Sequence, residues 1–418
     1  MTIAITNAHV VPVEGDPFDG TVLFADGQST DGRIIALGPD VVIPDGAEVV
    51  DVGGAWLTPG LVEAHGHVGI SEEFHGWAGE DSNEGTQVNG ARFRALDAIH
   101  PTDESFRDAL SGGVTTVVVK PGSGNPIGGQ TVAVKTWGRI IDEMVIKQPA
   151  SMKSALGENP KRFYGQDQKV FPKTRQGVAA ALRDAFTAAR NYGARKHEAT
   201  RDNKAFDIDL THEALLKVLD EGLPWCQHCH RVDDIATAIR LADEFGYKLI
   251  INHGTEAHLI ADVLAERGLP VVIGPLLTAR LKQELQHRSV ASPGRLVRAG
   301  VKIAITTDAP VIPINMLNLQ AGVAVQEGLE PVAALRSITQ WPAEIMGLDE
   351  RVGSLEVGKD ADLVLWTGDP LAATSRALRV WIEGREVYHY DESTSEGITL
   401  DPYSTLGTTV AAPGRERR

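Results

Sequence analysis

The sequence predicts an α/β protein: a (β/α)8 barrel of the TIM type with a small composite β-sandwich domain formed by the N- and C-terminal segments. Three observations predict it. Short β-branched runs alternate with amphipathic helical stretches through the middle of the chain. Both flanks are β-like instead. Several of the middle strands end in His or Asp, on the side where barrel enzymes build their sites.

The N-terminal flank, residues 1–57, contains short apolar runs such as Thr21–Phe24 and Arg33–Leu37, punctuated by Gly, Pro, Asp and Asn at hairpin spacing. The same texture returns over 349–390, in Ala361–Trp366 and Arg379–Ile382. These two blocks are read as the parts of one β domain, with the barrel at 58–348 between them. Residues 391–418, rich in Ser, Thr, Gly and Pro, read as a loose tail.

Within the barrel segment, Val114–Val119 is a β-branched run suited to a strand covered on both faces. A helix is expected after Thr174, with Val178, Leu182, Ala185, Phe186 and Ala189 on one face. Thr211 is expected to cap another helix, which Gly222 stops. Strands then follow at Pro224–His230, Lys248–His253, Pro270–Gly274 and Val301–Thr307, separated by helices. Ser292-Pro293 opens the helix before the last of these.

Composition narrows the function. With 40 Lys and Arg against 56 Asp and Glu, the net charge is −16, and no basic excess exists to displace counterions from nucleic acid. Two cysteines exclude a disulfide framework. No apolar run reaches the length of a membrane span, and the first residues lack the features of a signal peptide. The expectation is a cytoplasmic protein, a homo-oligomer, acting on a small molecule.

The chemistry is concentrated at strand ends. His65 and His67 close the Leu61–His67 run at i and i+2, a spacing that puts both imidazoles on one side of a strand. His228 and His230 do the same on the next His-bearing strand. His253 and Asp308 end two more. Imidazoles and a carboxylate converging in this way suit Zn, Fe, Mn or Ni.

Cys226-Gln227-His228-Cys229-His230 also fits a haem-attachment pattern, but it lies on a barrel strand, where the cysteines read as small core residues. The run 121–129 is rich in glycine but lacks the Lys-Ser/Thr ending of a phosphate loop. It reads as a flexible loop over the barrel mouth. Residues 72–89 read as a lid or substrate wall.

The pieces LTPGLVEAHGHVG, CQHCHR, INHGTEAH, TTDAPV and RVGSLEVGKDADLVLW, in this order, resemble the amidohydrolase superfamily, and within it the imidazolonepropionase-related branch. The likeness runs over about residues 1–390. It implies that His65, His67, His228 and His253 are metal ligands and Asp308 the eighth-strand carboxylate. It also implies one or two divalent ions, zinc first and iron or manganese as alternatives. A bridging ligand would come from the Ser151–Asn159 stretch. Glu158, at the expected strand end, is favoured there over a carboxylated Lys153.

The activity implied is hydrolysis of an amide, cyclic amide or dipeptide-like C–N bond by a metal-activated hydroxide. Asp308 would act as general base and acid, and His230 would stabilise the oxyanion. Arg231 either holds a substrate carboxylate or pairs with Asp233 or Asp234. The alternatives are a deaminase acting on a heterocycle and a binding protein that has kept the barrel without turnover.

Overall fold

A computed structural model describes residues 1–28 and 31–403. Five strands come first: β1 (Thr2–Val10), β2 (Phe18–Ala25), β3 (Ile34–Gly38), β4 (Glu48–Asp51) and β5 (Trp56–Pro59). The middle of the chain supplies β6 (Leu61–Gly66), β7 (Val114–Val119), β8 (Ile127–Gln130), β9 (Val132–Lys135), β10 (Val145–Lys147), β11 (Met152–Ala155), β12 (Trp225–Cys229), β13 (Leu249–His253), β14 (Val271–Ile273) and β15 (Ile303–Ile305). The last four are β16 (Leu363–Trp366), β17 (Ala377–Ile382), β18 (Arg385–Asp391) and β19 (Glu396–Thr399).

Both chain ends enter one sheet of nine strands, in the order β19-β18-β17-β16-β5-β1-β2-β3, with β4 also paired to β1. The join is antiparallel pairing of β16 with β5, from Leu363 opposite Pro59 to Trp366 opposite Trp56. The sheet carries its own core, in which Ile5, Val10, Phe24 and Leu57 meet Leu363, Leu365 and Trp381. Part of the expected loose tail is therefore ordered: Tyr388–Asp391 pairs with Glu396–Thr399. The rest of that tail, 404–418, lies outside the described residues.

The middle strands form two further sheets. β6, β7, β9 and β10 make one; β8 and β11 to β15 make the other, parallel from β11 onward. β8 pairs antiparallel with β11, and β9 pairs antiparallel with β7. One residue, Thr131, thus passes the chain from one sheet to the other. Gly129, at φ +133 and with the Phe93 carbonyl 2.7 Å from where a Cβ would lie, makes that bend possible. This antiparallel step departs from the simple β-then-α repeat expected from the sequence.

At the opposite seam β6 and β15 meet through end contacts. Thr306 Oγ1 donates to the His65 carbonyl at 2.7 Å, and the His67 amide donates to the Ala309 carbonyl at 2.8 Å.

The helices pack where their apolar faces predict. Thr174 Oγ1 caps Arg175–Arg201 by accepting from the Gly177 amide. The buried face of that helix includes Val178, Leu182, Ala185, Phe186 and Ala189. Phe186 stacks on Phe245 and Tyr247 and packs against Trp225 of β12. The next helix starts earlier than its sequence suggested. Asp209, not Thr211, caps Leu210–Leu219, because its carboxylate accepts from two amides, those of Thr211 and His212.

Candidate metal centre

The C-terminal ends of β6, β12, β13 and β15 open onto one polar centre inside apolar walls. His65, His228, His230 and His253 are all buried, and their rings touch. Ring centroids are 5.0 Å apart for His65 and His253, 4.4 Å for His228 and His253, and 4.7 Å for His228 and His230. Asp308 Oδ1 lies 2.9 Å from His65 Nε2 and 3.3 Å from His67 Nε2. The donor atoms fall into two groups within 4.8 Å: His65, His253 and Asp308, and His228, His230 and Glu284.

Each imidazole is held from behind. The Nδ1 atoms face Asn252 Nδ2 for His65, the Lys120 carbonyl for His67, Ser123 Oγ for His228, Thr255 Oγ1 for His230 and the Gly274 carbonyl for His253. A carbonyl only accepts, so His67 and His253 keep their proton on Nδ1 and turn a bare Nε2 to the centre.

Burial keeps His65 and His228 far below their ordinary pKa and brings His253 down to about 4. Burial on its own would raise Asp308, but the His253, His65 and His67 imidazoles hold it well below the usual carboxylate range. The centre therefore offers neutral imidazoles and an ionised carboxylate at pH 7, the forms in which they bind a cation.

Strain and buried hydrogen bonds fix the two ligand-bearing turns. His253 sits at φ +71 and Asp308 at φ +54, in the left-handed region that side chains other than glycine rarely adopt. The Asp308 turn is locked by Glu63, whose carboxylate accepts from Thr307 N and Oγ1 and from the His65 amide. Glu63 is fully buried, and burial pushes its pKa up to about 7.

These residues fit a divalent cation. Among the described residues, His228 Nε2, His230 Nε2 and Glu284 Oε2 are buried without a hydrogen-bond partner, while His65 Nε2 and Asp308 Oδ1 have only each other, at 2.9 Å. A cation would satisfy the atoms of His65, His228, Asp308 and Glu284 together, and His230 Nε2 is left to meet a substrate oxygen.

Three expectations change. The strand that was to carry Glu158 inward stops at Ala155, and Gly157 turns the chain at φ +85, so Glu158 opens a short helix. Its carboxylate lines a separate cleft with Lys161, Arg162 and Lys173 and joins neither donor group. Lys153, on the strand itself, is fully buried, with Nζ donating to the Pro121 carbonyl and Ser123 Oγ at 3.0 Å. Burial lowers its pKa to about 7, helped by Lys120.

Arg231 is spent on Asp233 through two bonds of 3.0 and 2.9 Å, so its guanidinium is not presented to the centre. The run 121–129 is packed rather than free. Its Ser123 bridges His228 and Lys153, and Asn83 Oδ1 accepts from the Gly124 amide at 2.6 Å.

Glu284 was not anticipated. It lies in a 3-10 turn, Gln283–Leu285, in the polar segment after β14, yet it is 1% exposed, and its Oε1 accepts from the Glu158 amide at 2.6 Å and from Arg175 at 2.8 Å. Nothing in LKQELQH marks that acid as buried.

The chain belongs to the amidohydrolase family, whose model matches residues 56–388. It falls in the imidazolonepropionase-related branch of that superfamily. An amidohydrolase of solved structure from Thermotoga maritima MSB8 is 44% identical, with a TM-score of 0.89, over 93% of this chain and 100% of that one. Amidohydrolase tasK of Hapsidospora irregularis is 29% identical over 83% of this chain, which spans 38% of that protein's length. The imidazolonepropionase of Rhizorhabdus wittichii is 27% identical over 81% of this chain and 86% of its own. Among the described residues no helix is long and apolar enough to cross a membrane.

Proposed function

We propose that this protein is a metal-dependent hydrolase of small molecules that cleaves an amide, cyclic amide or dipeptide-like C–N bond. The observation that carries the reading is the buried, unpartnered Nε2 of His228 in one centre with His65 Nε2 and Asp308 Oδ1, which have only each other. In this reading the two middle sheets are the wall of a (β/α)8 barrel over 58–348, flanked by a β domain from 1–57 and 349–390. His65, His67, His228, His253 and Asp308 hold one or two divalent ions, zinc first. Glu284 stands beside His228 and His230 as a further donor, and Lys153, if its Nζ adds carbon dioxide with loss of a proton to give a carbamate, would supply the bridging carboxylate in place of Glu158.

A bound divalent ion supplies Lewis acidity, which makes water a nucleophile near pH 7 and polarises a carbonyl. Asp308, ionised and at the edge of the centre, takes the proton of the attacking water and returns it to the departing nitrogen. His230 donates from Nε2 to the developing oxyanion when the Thr255 hydroxyl donates to its Nδ1.

The test is metal analysis with a panel of dipeptides, N-acyl amino acids and lactams, run on wild type and Asp308→Asn. Hydrolysis should accompany metal and fall at least about a hundredfold in the variant. Ammonia release from heterocycles alone would move the reading to a deaminase. Full metal occupancy without turnover would leave a binding protein.

A further inference from the structure

Lys282 hangs over this centre from the loop after β14. Its Nζ donates to Asn159 Oδ1 at 2.8 Å and stands 3.9 Å from Glu284 Oε2, the oxygen left without a hydrogen bond. The side chain is 24% exposed, so the ammonium lies at the boundary between solvent and the donor atoms.

Burial lowers its pKa against the pull of the Glu284, Asp308 and Glu158 carboxylates, none of which hydrogen-bonds it. Glu284 directs Oε1 to Arg175 and the Glu158 amide, and its Oε2 is beyond hydrogen-bond reach of Nζ. The carboxylate of Asp308 is hemmed in by His65 and His67. Among the described residues, the hydrogen-bond partner of Nζ is thus the neutral Asn159 amide, with no carboxylate oxygen within hydrogen-bond reach. Glu284 in turn shares a donor group with His228 and His230, so the ammonium stands at the rim of that group.

We infer that Lys282 is the anion-binding residue of this site, and that the substrate carries a carboxylate within a few bonds of the scissile nitrogen. The inference rests on the proposed C–N hydrolase reading. A C–N bond placed at the histidines brings its flank under Lys282, and an ammonium with one neutral hydrogen bond gains most from an anionic partner. Arg231, the other candidate for that task, is occupied by Asp233. In a chain of net charge −16, a local cation is also what admits an anionic substrate.

Matched pairs decide it: N-acetyl amino acids against their C-terminal amides, and dipeptides against dipeptide amides, with wild type, Lys282→Met and Lys282→Arg. Wild type should favour the carboxylate form in kcat/KM. Lys282→Met should erase about ten- to a hundredfold of that preference, mainly through KM, and Lys282→Arg should restore most of it. An acid-to-amide ratio that Lys282→Met leaves unchanged overturns the inference while the hydrolase reading stands.

If no pair is turned over, the hydrolase reading fails, and calorimetric titration of the metal-loaded proteins with the same compounds still decides the role of Lys282. Carboxylate binding that Lys282→Met abolishes supports it. Binding equal in both proteins, or absent from both, overturns it.

Discussion

Asn252 Nδ2 lies 3.2 Å from His65 Nδ1, while the oxygen of the same amide is buried without a partner. Turning the amide over lets the oxygen accept from Nδ1–H and leaves Nε2 bare for a cation shared with Asp308, while Nδ2 takes the oxygen's buried place. All the imidazoles whose backing is a pure acceptor would then point a lone pair at the centre.

From this follows an effect of Asn252→Ala on metal affinity. The histidine loses its orienting bond, and affinity should drop about ten- to a hundredfold, read by competition with a chromogenic chelator. Unchanged affinity would show that His65 needs no support from behind.

Lys153 and Glu158 separate cleanly. Lys153→Met should lower both metal content and turnover, because it removes a buried amine bonded to Ser123, which also backs His228. Glu158→Gln should leave metal content as in wild type, since the carboxylate stands in the outer cleft. Elemental analysis of the two purified variants checks this, and a reversed pattern would return the bridging role to Glu158.

Lys135 joins the middle of the chain to its last third. Its Nζ contacts Asp360 Oδ2 at 2.7 Å and Asp362 Oδ2 at 2.8 Å, both side chains being buried. Lys135→Met should cost about 3 kcal/mol in urea unfolding, because it takes the cation from buried Asp362, while Asp360 keeps Arg33 and Arg351.

The same cluster sets a pH dependence. Burial alone would raise Asp360, but Lys135 and Arg351 outweigh it and hold the carboxyl below its usual value. A carboxylate depressed in the fold stabilises above its unfolded pKa, near 4, and that stability is lost as pH falls through the lower folded value. Wild type should therefore lose stability more steeply below about pH 4 than Asp360→Asn, in unfolding curves taken at successive pH values.

Metal removal should lower the thermal midpoint. An ion bound only by the folded chain adds about 2.7 kcal/mol at a free concentration a hundred times its Kd. Scanning calorimetry before and after dialysis against a chelator measures the difference, and coincident scans would show that the centre holds no ion in solution.

Much of this centre was legible because its histidines and Asp308 close apolar runs, where strand geometry leaves little choice of direction. Reading failed where the backbone leaves regular structure. Glu158 looked like a strand-end ligand only while the strand was assumed to run on, and Gly157 ends that assumption. Glu284 sits in a single 3-10 turn too short to show periodicity, so its burial depends on Arg175 and the Glu158 amide, contacts distant in sequence. The nine-stranded sheet was legible as two similar textures, but the switch between sheets at Thr131 was not, because it turns on a single glycine conformation.

The pairing of β16 with β5 has a consequence for the birth of the molecule. When the ribosome has released the first sixty residues, β5 has an open edge that only Leu363–Trp366 can cover. The N-terminal strands must therefore wait, incomplete, through synthesis of the whole catalytic body. Such a wait exposes an unsatisfied strand edge to neighbouring chains. Premature termination before residue 363 should then yield aggregates rather than a trimmed enzyme.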